Sequence, residues 1–207
     1  MARKTKMLSQ RSKFIIITNG KESEKNYFEA LRASHRSIFD IKVEFDNADP
    51  VSLVKRAIRK KDQSNQVWIV FDKDEFPSSA VYDAIREAHK HRIGVAFSNA
   101  AFEVWLINHF RELRHERTAS ELIKELNALL VREGYSKGYS KSDSEVFKKR
   151  FVSRIDDAIQ SSKISLQKRK AEYDSAIHGS HSYPYCDWNP CTTVHELVEA
   201  LNLEKKN

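Results

Sequence analysis

The sequence predicts an α/β protein built on a mostly parallel, four-stranded sheet flanked by helices, with a helical carboxyl-terminal part. Three observations carry this. Val67–Phe71 is an unbroken apolar run of mostly β-branched or aromatic residues, as in a strand buried on both faces inside a parallel sheet. Up to Phe97, runs of strand length alternate with helical patterns in the order βαβαβαβ, and short connections in that order imply parallel strands with right-handed crossovers. Beyond Phe97 the apolar spacing becomes helical.

Residues 1–13 carry basic side chains with little apolar pattern and read as a mobile arm. Phe14–Ile17 is the first strand, and Thr18-Asn19-Gly20 turns the chain. Ser23 can cap a helix to about Ala33, with Tyr27, Phe28 and Leu31 as its apolar stripe. Ile41–Phe45 alternates apolar and polar residues, as an edge strand does. Asp49-Pro50 starts a helix that buries Val51, Val54 and Ile58. After the strand Val67–Phe71, Pro77-Ser78-Ser79 opens a helix to about His89, and Ile93–Phe97 is the fourth strand.

In the second half, Phe102, Trp105, Leu106 and Phe110 form one helical stripe. Capping boxes stand at Thr118/Glu121, Ser142/Glu145 and Thr193/Glu196. Residues 178–191 read as a loop rich in His, Tyr and Pro. The expected organisation is a basic arm at 1–13, an α/β core at 14–117, and a helical region at 118–207 packed on that core.

No apolar stretch is long enough for a membrane helix, and no signal-peptide core follows the basic start. The expectation is a cytoplasmic protein without membrane association. A net charge of +7 points to a polyanionic partner, with plain solubility as the alternative.

The chemistry concentrates where the central strand ends, at Asp72-Lys73-Asp74-Glu75. Functional crevices of open α/β sheets lie at the carboxyl ends of their strands. If the chain stays extended through Asp74, then Asp72 and Asp74 share a face. Two carboxylates on one crevice repel unless a cation or proton lies between them, and hard oxygen ligands suit Mg²⁺ or Mn²⁺. The alternative is a solvated acidic turn in which Asp74 or Glu75 caps the next helix.

Four segments, Gly20–Phe28, Val67–Phe76, Ser98–Phe110 and Asn189–Leu197, occur in an order that resembles the RloB-like protein family. The resemblance implies a Toprim-like fold, a metal-dependent nuclease acting on DNA or RNA, and a setting in prokaryotic anti-phage defence or abortive infection. It also implies an ATPase partner from the same operon and leaves homo-oligomerisation open. On these residues it implies that Asp72 and Asp74 hold Mg²⁺ or Mn²⁺, with Glu24 or Glu103 completing the shell. Glu22, Glu75 and His109 are expected nearby.

The Toprim pattern ends its first strand on a glutamate before glycine, whereas here Asn19 precedes Gly20; the family's proline is Ala100. An amide oxygen at Asn19 can ligate a metal but cannot act as a general base. The alternative reading is therefore a catalytically impaired subunit that binds or senses nucleic acid. A phosphatase reading of Asp72-Lys73-Asp74 does not fit its place on the third strand with Glu75 following, and the separate earlier acidic pair and later lysine of a receiver domain are not visible.

Tyr135, Lys137, Tyr139 and Lys141 interleave aromatics with cations, a pattern suited to single-stranded nucleic acid, or equally an ordinary solvated loop. His109 is either a core histidine bonded to a backbone carbonyl or a site residue. His178, His181, Cys186 and Cys191 are zinc-ligand types in one loop. Their spacing is looser than in structural zinc knuckles, and a loop closed by Tyr183, Tyr185 and Trp188 is the simpler reading.

Overall fold

The computed structural model describes residues 13–34, 40–73, 76–175 and 187–203. Its organising element is the third strand. The strands β1 (Lys13–Thr18), β2 (Asp40–Phe45), β3 (Asn65–Asp72) and β4 (Gly94–Asn99) run parallel, and β5 (Cys191–Thr192) pairs antiparallel with β4. The order across the sheet is β2-β1-β3-β4-β5. β3 is thus hydrogen-bonded on both sides, as its continuous apolar run requires.

The sheet has five strands, not the four expected, and it is mixed. The added strand is only Cys191–Thr192, too short for any alternation to be read from sequence. It covers the β4 edge, which would otherwise present unpaired backbone groups. β2 is an edge strand as its alternation predicts, with Ile41 buried and Lys42 exposed.

Three helices connect the parallel strands: α1 (Ser23–Ser34), α2 (Pro50–Lys60) and α3 (Ser78–Lys90). Asp49 caps α2 by accepting the Ser52 N–H at 3.0 Å, with Pro50 at the first helical position. α2 and α3 cover one face of the sheet, burying Leu53, Val54, Val81 and Ile85 on Ile17, Ile69 and Phe71. Trp188 joins this layer.

The opposite face carries α1 and the helices of the second half: α4 (Glu103–Asn108), α5 (Ala119–Arg132), α6 (Ser144–Val146), α7 (Ile155–Ser175) and α8 (Val194–Leu203). A π-helical turn at Phe147–Phe151 and a 3₁₀ turn at Val152–Arg154 join α6 to α7. Phe14, Ile16 and Val70 meet Tyr27, Phe28, Trp105, Leu126, Phe151 and Leu197 in one apolar layer. Residues from both halves of the chain thus share one core.

Three local expectations are corrected. The stripe from Phe102 to Phe110 belongs to a helix of only six residues, buried all round, that starts at Glu103. It packs against both α5 and α7, so it has no solvent face to reveal a period. The cap expected at Ser142 is Asp143, whose side chain accepts the Glu145 N–H. The Thr193 hydroxyl accepts the Phe97 N–H at 3.0 Å instead of capping α8, and so ties α8 to β4. The Thr118/Glu121 box at α5 is formed as expected.

The β2 edge is clamped to α2 by charge. Glu44 pairs with Arg56 at 2.8 Å, Lys60 at 3.0 Å and Lys42 at 2.9 Å, while Arg56 also holds Asp46. Burial raises the Glu44 pKa, but the hydrogen bonds from Arg56, Lys42 and Lys60 outweigh it and hold the group at about 2. A depressed carboxylate contributes stability above its unfolded value, and that contribution is lost as pH falls towards the folded value. Glu44→Gln is therefore expected to lose on the order of 2 kcal/mol at neutral pH, allowing for solvent around its partners. Urea denaturation should show the gap to wild type closing as pH drops from about 4.5 towards 2.

Candidate active site

Parallel pairing brings the carboxyl ends of four strands to one edge of the sheet. In register there, Thr18 sits between Phe45 and Val70, and Asp72 lies beside Ser98. The residues immediately after these strands line a crevice of about 400 Å³: Asn19, Gly20 and Glu24 after β1, Asn47 after β2, Asp72 and Phe76 around the end of β3, with Lys141 arriving from the second half.

Strand periodicity decides which face the acids occupy. Val67, Ile69 and Phe71 point to the α2/α3 layer and Val70 to the other. Asp72 shares the parity of Val70, so its carboxylate emerges on the side of α1 and α4. Glu24 stands in the first turn of α1, and Glu103 is the first residue of α4. The structure thereby brings Glu24, Asp72 and Glu103 together, although they are far apart in sequence.

Two of the acids are withdrawn from water, and Asp72 is partly exposed to the crevice. Glu24 is 4% exposed and Glu103 0%. Asp72 Oδ1 and Glu103 Oε2 are buried without a hydrogen-bond partner among the described residues. Burial, then the charges of Glu24 and Glu103, push the Asp72 pKa well up; the Phe102 N–H and Lys141 oppose this. Burial raises Glu24 to about 7, with its own backbone N–H and Lys141 opposing and the Glu103 charge adding to the rise.

Gly20 makes room for this arrangement. A Cβ at that position would run into the Glu24 carboxylate, so the side chain folds back over the β1 turn only because residue 20 is glycine. The Glu24 carboxylate consequently lies beside the end of β1, next to Asn19.

One cation enters from the loop between α5 and α6. Lys141 Nζ lies 3.3 Å from Glu103 Oε1, and Asn26 Nδ2 holds the Lys141 carbonyl at 2.8 Å. Burial works against the ammonium, but Glu103, then Glu24 and Asp72, more than offset it and hold its pKa above the usual lysine value. From the same loop, the Tyr139 hydroxyl donates to Glu103 Oε1 at 2.8 Å and contacts Ser23 Oγ at 2.9 Å.

The other expected site residues are distributed as follows. Glu22 is exposed at the crevice wall. His109 is sealed in the aromatic core, 1% exposed. Its Nδ1 donates to the Trp105 carbonyl at 3.0 Å, and Nε2 therefore accepts from the Tyr27 hydroxyl at 3.3 Å. Burial lowers its pKa to about 3, so it is neutral and serves the core. Tyr135 bonds Asp143 at 2.7 Å, and Arg150 covers its ring. Lys137 is exposed.

Cys191 is a buried strand residue. Asp74, Glu75, His178, His181 and Cys186 lie outside the described residues. Among the described residues, no three His, Cys, Asp or Glu side chains close around one point as a ready-made metal cage. Glu24 and Asp72 instead line an open crevice, and Glu103 is buried and reaches the crevice-lining Lys141 through its Oε1; Asp72 Oδ1 and Glu103 Oε2 are bare. That donor set fits Mg²⁺ or Mn²⁺, since Mg²⁺ is commonly held by one or two carboxylates, waters and substrate phosphate.

Ser23, Asn47 and Phe76 were missed from sequence, as was the inward placement of Tyr139 and Lys141. Asn47 was accessible to reasoning, because it follows β2 and the carboxyl ends of parallel strands line such crevices. No sequence signal places the 139–141 loop.

Fold and site together define an α/β protein with an acidic crevice at the carboxyl edge of a mostly parallel sheet. The sequence model of the RloB-like protein family matches residues 14–201, and the chain belongs to that family. Among curated proteins and solved structures, nothing matches the chain. Among the described residues, no helix is long and apolar enough to cross a membrane.

The raised Glu24 pKa has a measurable consequence without metal. A carboxylate whose folded pKa exceeds its unfolded value opposes folding once it must ionise, so stability falls as pH rises from about 4.5 to about 7. Glu24→Gln is expected to match wild type near pH 4.5 and to exceed it at pH 8 by on the order of 2 kcal/mol. Urea titrations in EDTA across that range check this. A wild type that gains stability relative to the variant as pH rises would contradict the site electrostatics.

Proposed function

We propose that this protein is a metal-dependent phosphodiesterase of Toprim type that cleaves nucleic acid. The observation that carries the reading is the convergence of Glu24, Asp72 and Glu103 with two unpartnered carboxylate oxygens at the strand ends. Asp72 and Glu103 are the residues that would hold Mg²⁺ or Mn²⁺, with Asp74 the further candidate from sequence. The ion would supply charge neutralisation at the phosphate and a more acidic water.

The remaining chemistry belongs to side chains. Glu24, poised near neutrality, accepts the proton of the water that attacks phosphorus in line, a role Asn19 cannot fill; the opposite P–O bond breaks and the departing oxygen takes a proton from solvent. The Glu24 carboxylate, folded against Gly20, would stand in for the one the Toprim pattern has at the end of the first strand. Lys141 offers an ammonium to a phosphate oxygen. Lys137 and the exposed Lys148 and Lys149 lie on the same half of the chain as the 139–141 loop. They are candidates to attract the polyanion towards an otherwise acidic crevice.

The family resemblance supports a setting in prokaryotic anti-phage defence, in the cytoplasm, beside an ATPase from the same operon. A second reading, a non-catalytic subunit that binds or senses nucleic acid, is favoured by Asn19 and by the Lys141 ammonium on Glu103.

The test is purified protein with Mg²⁺ or Mn²⁺ against plasmid, single-stranded DNA and tRNA, with and without the ATPase. Cleavage by wild type that is abolished in a folded Asp72→Ala variant is expected. Cleavage persisting in Asp72→Ala overturns the assignment, and binding without cleavage in every condition selects the second reading.

A further inference from the structure

The two oxygens of Glu103 are treated very differently. Oε1 receives the Tyr139 hydroxyl at 2.8 Å and the Lys141 ammonium at 3.3 Å, with Ser23 Oγ 3.4 Å away. Oε2 is buried and has no partner among the described residues. The Tyr139 hydroxyl has one proton, and it goes to Glu103, which can only accept. The Ser23 hydroxyl at 2.9 Å therefore donates to the Tyr139 oxygen, giving a chain Ser23→Tyr139→Glu103 that fixes the carboxylate plane. A buried carboxylate oxygen left bare costs free energy unless a ligand meets it.

The loop carrying Tyr139 is itself held from outside the site. Asn127 Oδ1 accepts the Tyr139 N–H at 3.0 Å, and Gly138, with φ at 67°, passes so close to Asn127 that a Cβ would strike its Oδ1. The Tyr139 ring sits edge-on to Phe147. A segment that reads in sequence as a nucleic-acid contact is thus built as a brace against one acid of the crevice.

We infer that Tyr139 is a positioning residue: by saturating Glu103 Oε1 it presents Oε2 as the metal-ligating oxygen. This rests on the proposed metal site and goes beyond it by naming the ligating atom and its brace. Hydrogen-bond partners of this kind orient ligating carboxylates, and losing one typically weakens metal binding about 10–100-fold.

The test uses the full chain and reads Mn²⁺ affinity by calorimetry alongside nucleic-acid binding in EDTA. Tyr139→Phe keeps the ring and removes the donor. It is expected to weaken Mn²⁺ binding by about 10-fold or more, with the native fold retained by circular dichroism and nucleic-acid affinity and salt slope unchanged. Unchanged Mn²⁺ affinity overturns the inference while leaving the metal reading intact. So does a variant that loses nucleic-acid affinity and salt slope instead, which would return Tyr139 to a substrate contact. If wild type itself binds no Mn²⁺, both readings fall. Should Tyr139→Phe not fold, Asn127→Ala takes its place, since it loosens the Tyr139 backbone without touching the acids. Mn²⁺ affinity equal to wild type there also overturns the inference.

Discussion

The structure depends on a conflict that its sheet imposes and does not relieve. Parity along β3 sends Asp72 out on the face shared with α1 and α4, where Glu24 and Glu103 are already buried. Burial and the neighbouring acid charges raise the pKa values of Asp72 and Glu24, and one half-buried ammonium at Lys141 answers them only in part. Such an arrangement lowers the stability of the folded chain on its own. Under the proposed function a cation and a polyanion would relieve it, as is common where carboxylates are gathered for chemistry.

Holding these acids together takes a rigid frame. Tyr27 of α1 meets Phe102 and Trp105 edge-on at centroid separations of 5.7 and 6.0 Å, and His109 at 5.6 Å. These rings join the helix that carries Glu24 to the one that carries Glu103. Aromatic pairs in this geometry contribute about 0.5–1.5 kcal/mol beyond the area they bury. Neutral His109 completes the contact by bonding both Trp105 and Tyr27, so its contribution lies in the core that fixes the acids. The second half of the chain braces the same site, through α5 and α7 behind α4 and through the 139–141 loop in front.

Much of this was legible in the residues. The unbroken run into Asp72 marked the central strand, Asp49-Pro50 and the Thr118/Glu121 box marked helix starts, and the alternation of Ile41–Phe45 marked an edge. The resemblance drew Glu24 and Glu103 to the crevice; Glu24 lines it, and Glu103 is buried and meets it through Lys141. What escaped is long-range or aperiodic. A two-residue strand at Cys191 has no pattern to show, and a helix buried on every side, like Glu103–Asn108, hides its period. Tyr139 and Lys141 looked like solvent-facing stacking and charge, because only the tertiary path of their loop reveals that Ser23 and Glu103 are waiting for them.

The central claim is that these carboxylates form a divalent-cation site. It is tested most directly by a crystal structure grown with Mn²⁺, read by anomalous scattering. The account predicts a peak in the crevice at coordinating distance, about 2.1 Å, from Asp72 Oδ1 and Glu103 Oε2, with Tyr139 still bonded to Oε1. A structure with Mn²⁺ bound elsewhere, or with these oxygens still bare at saturating Mn²⁺, would contradict it.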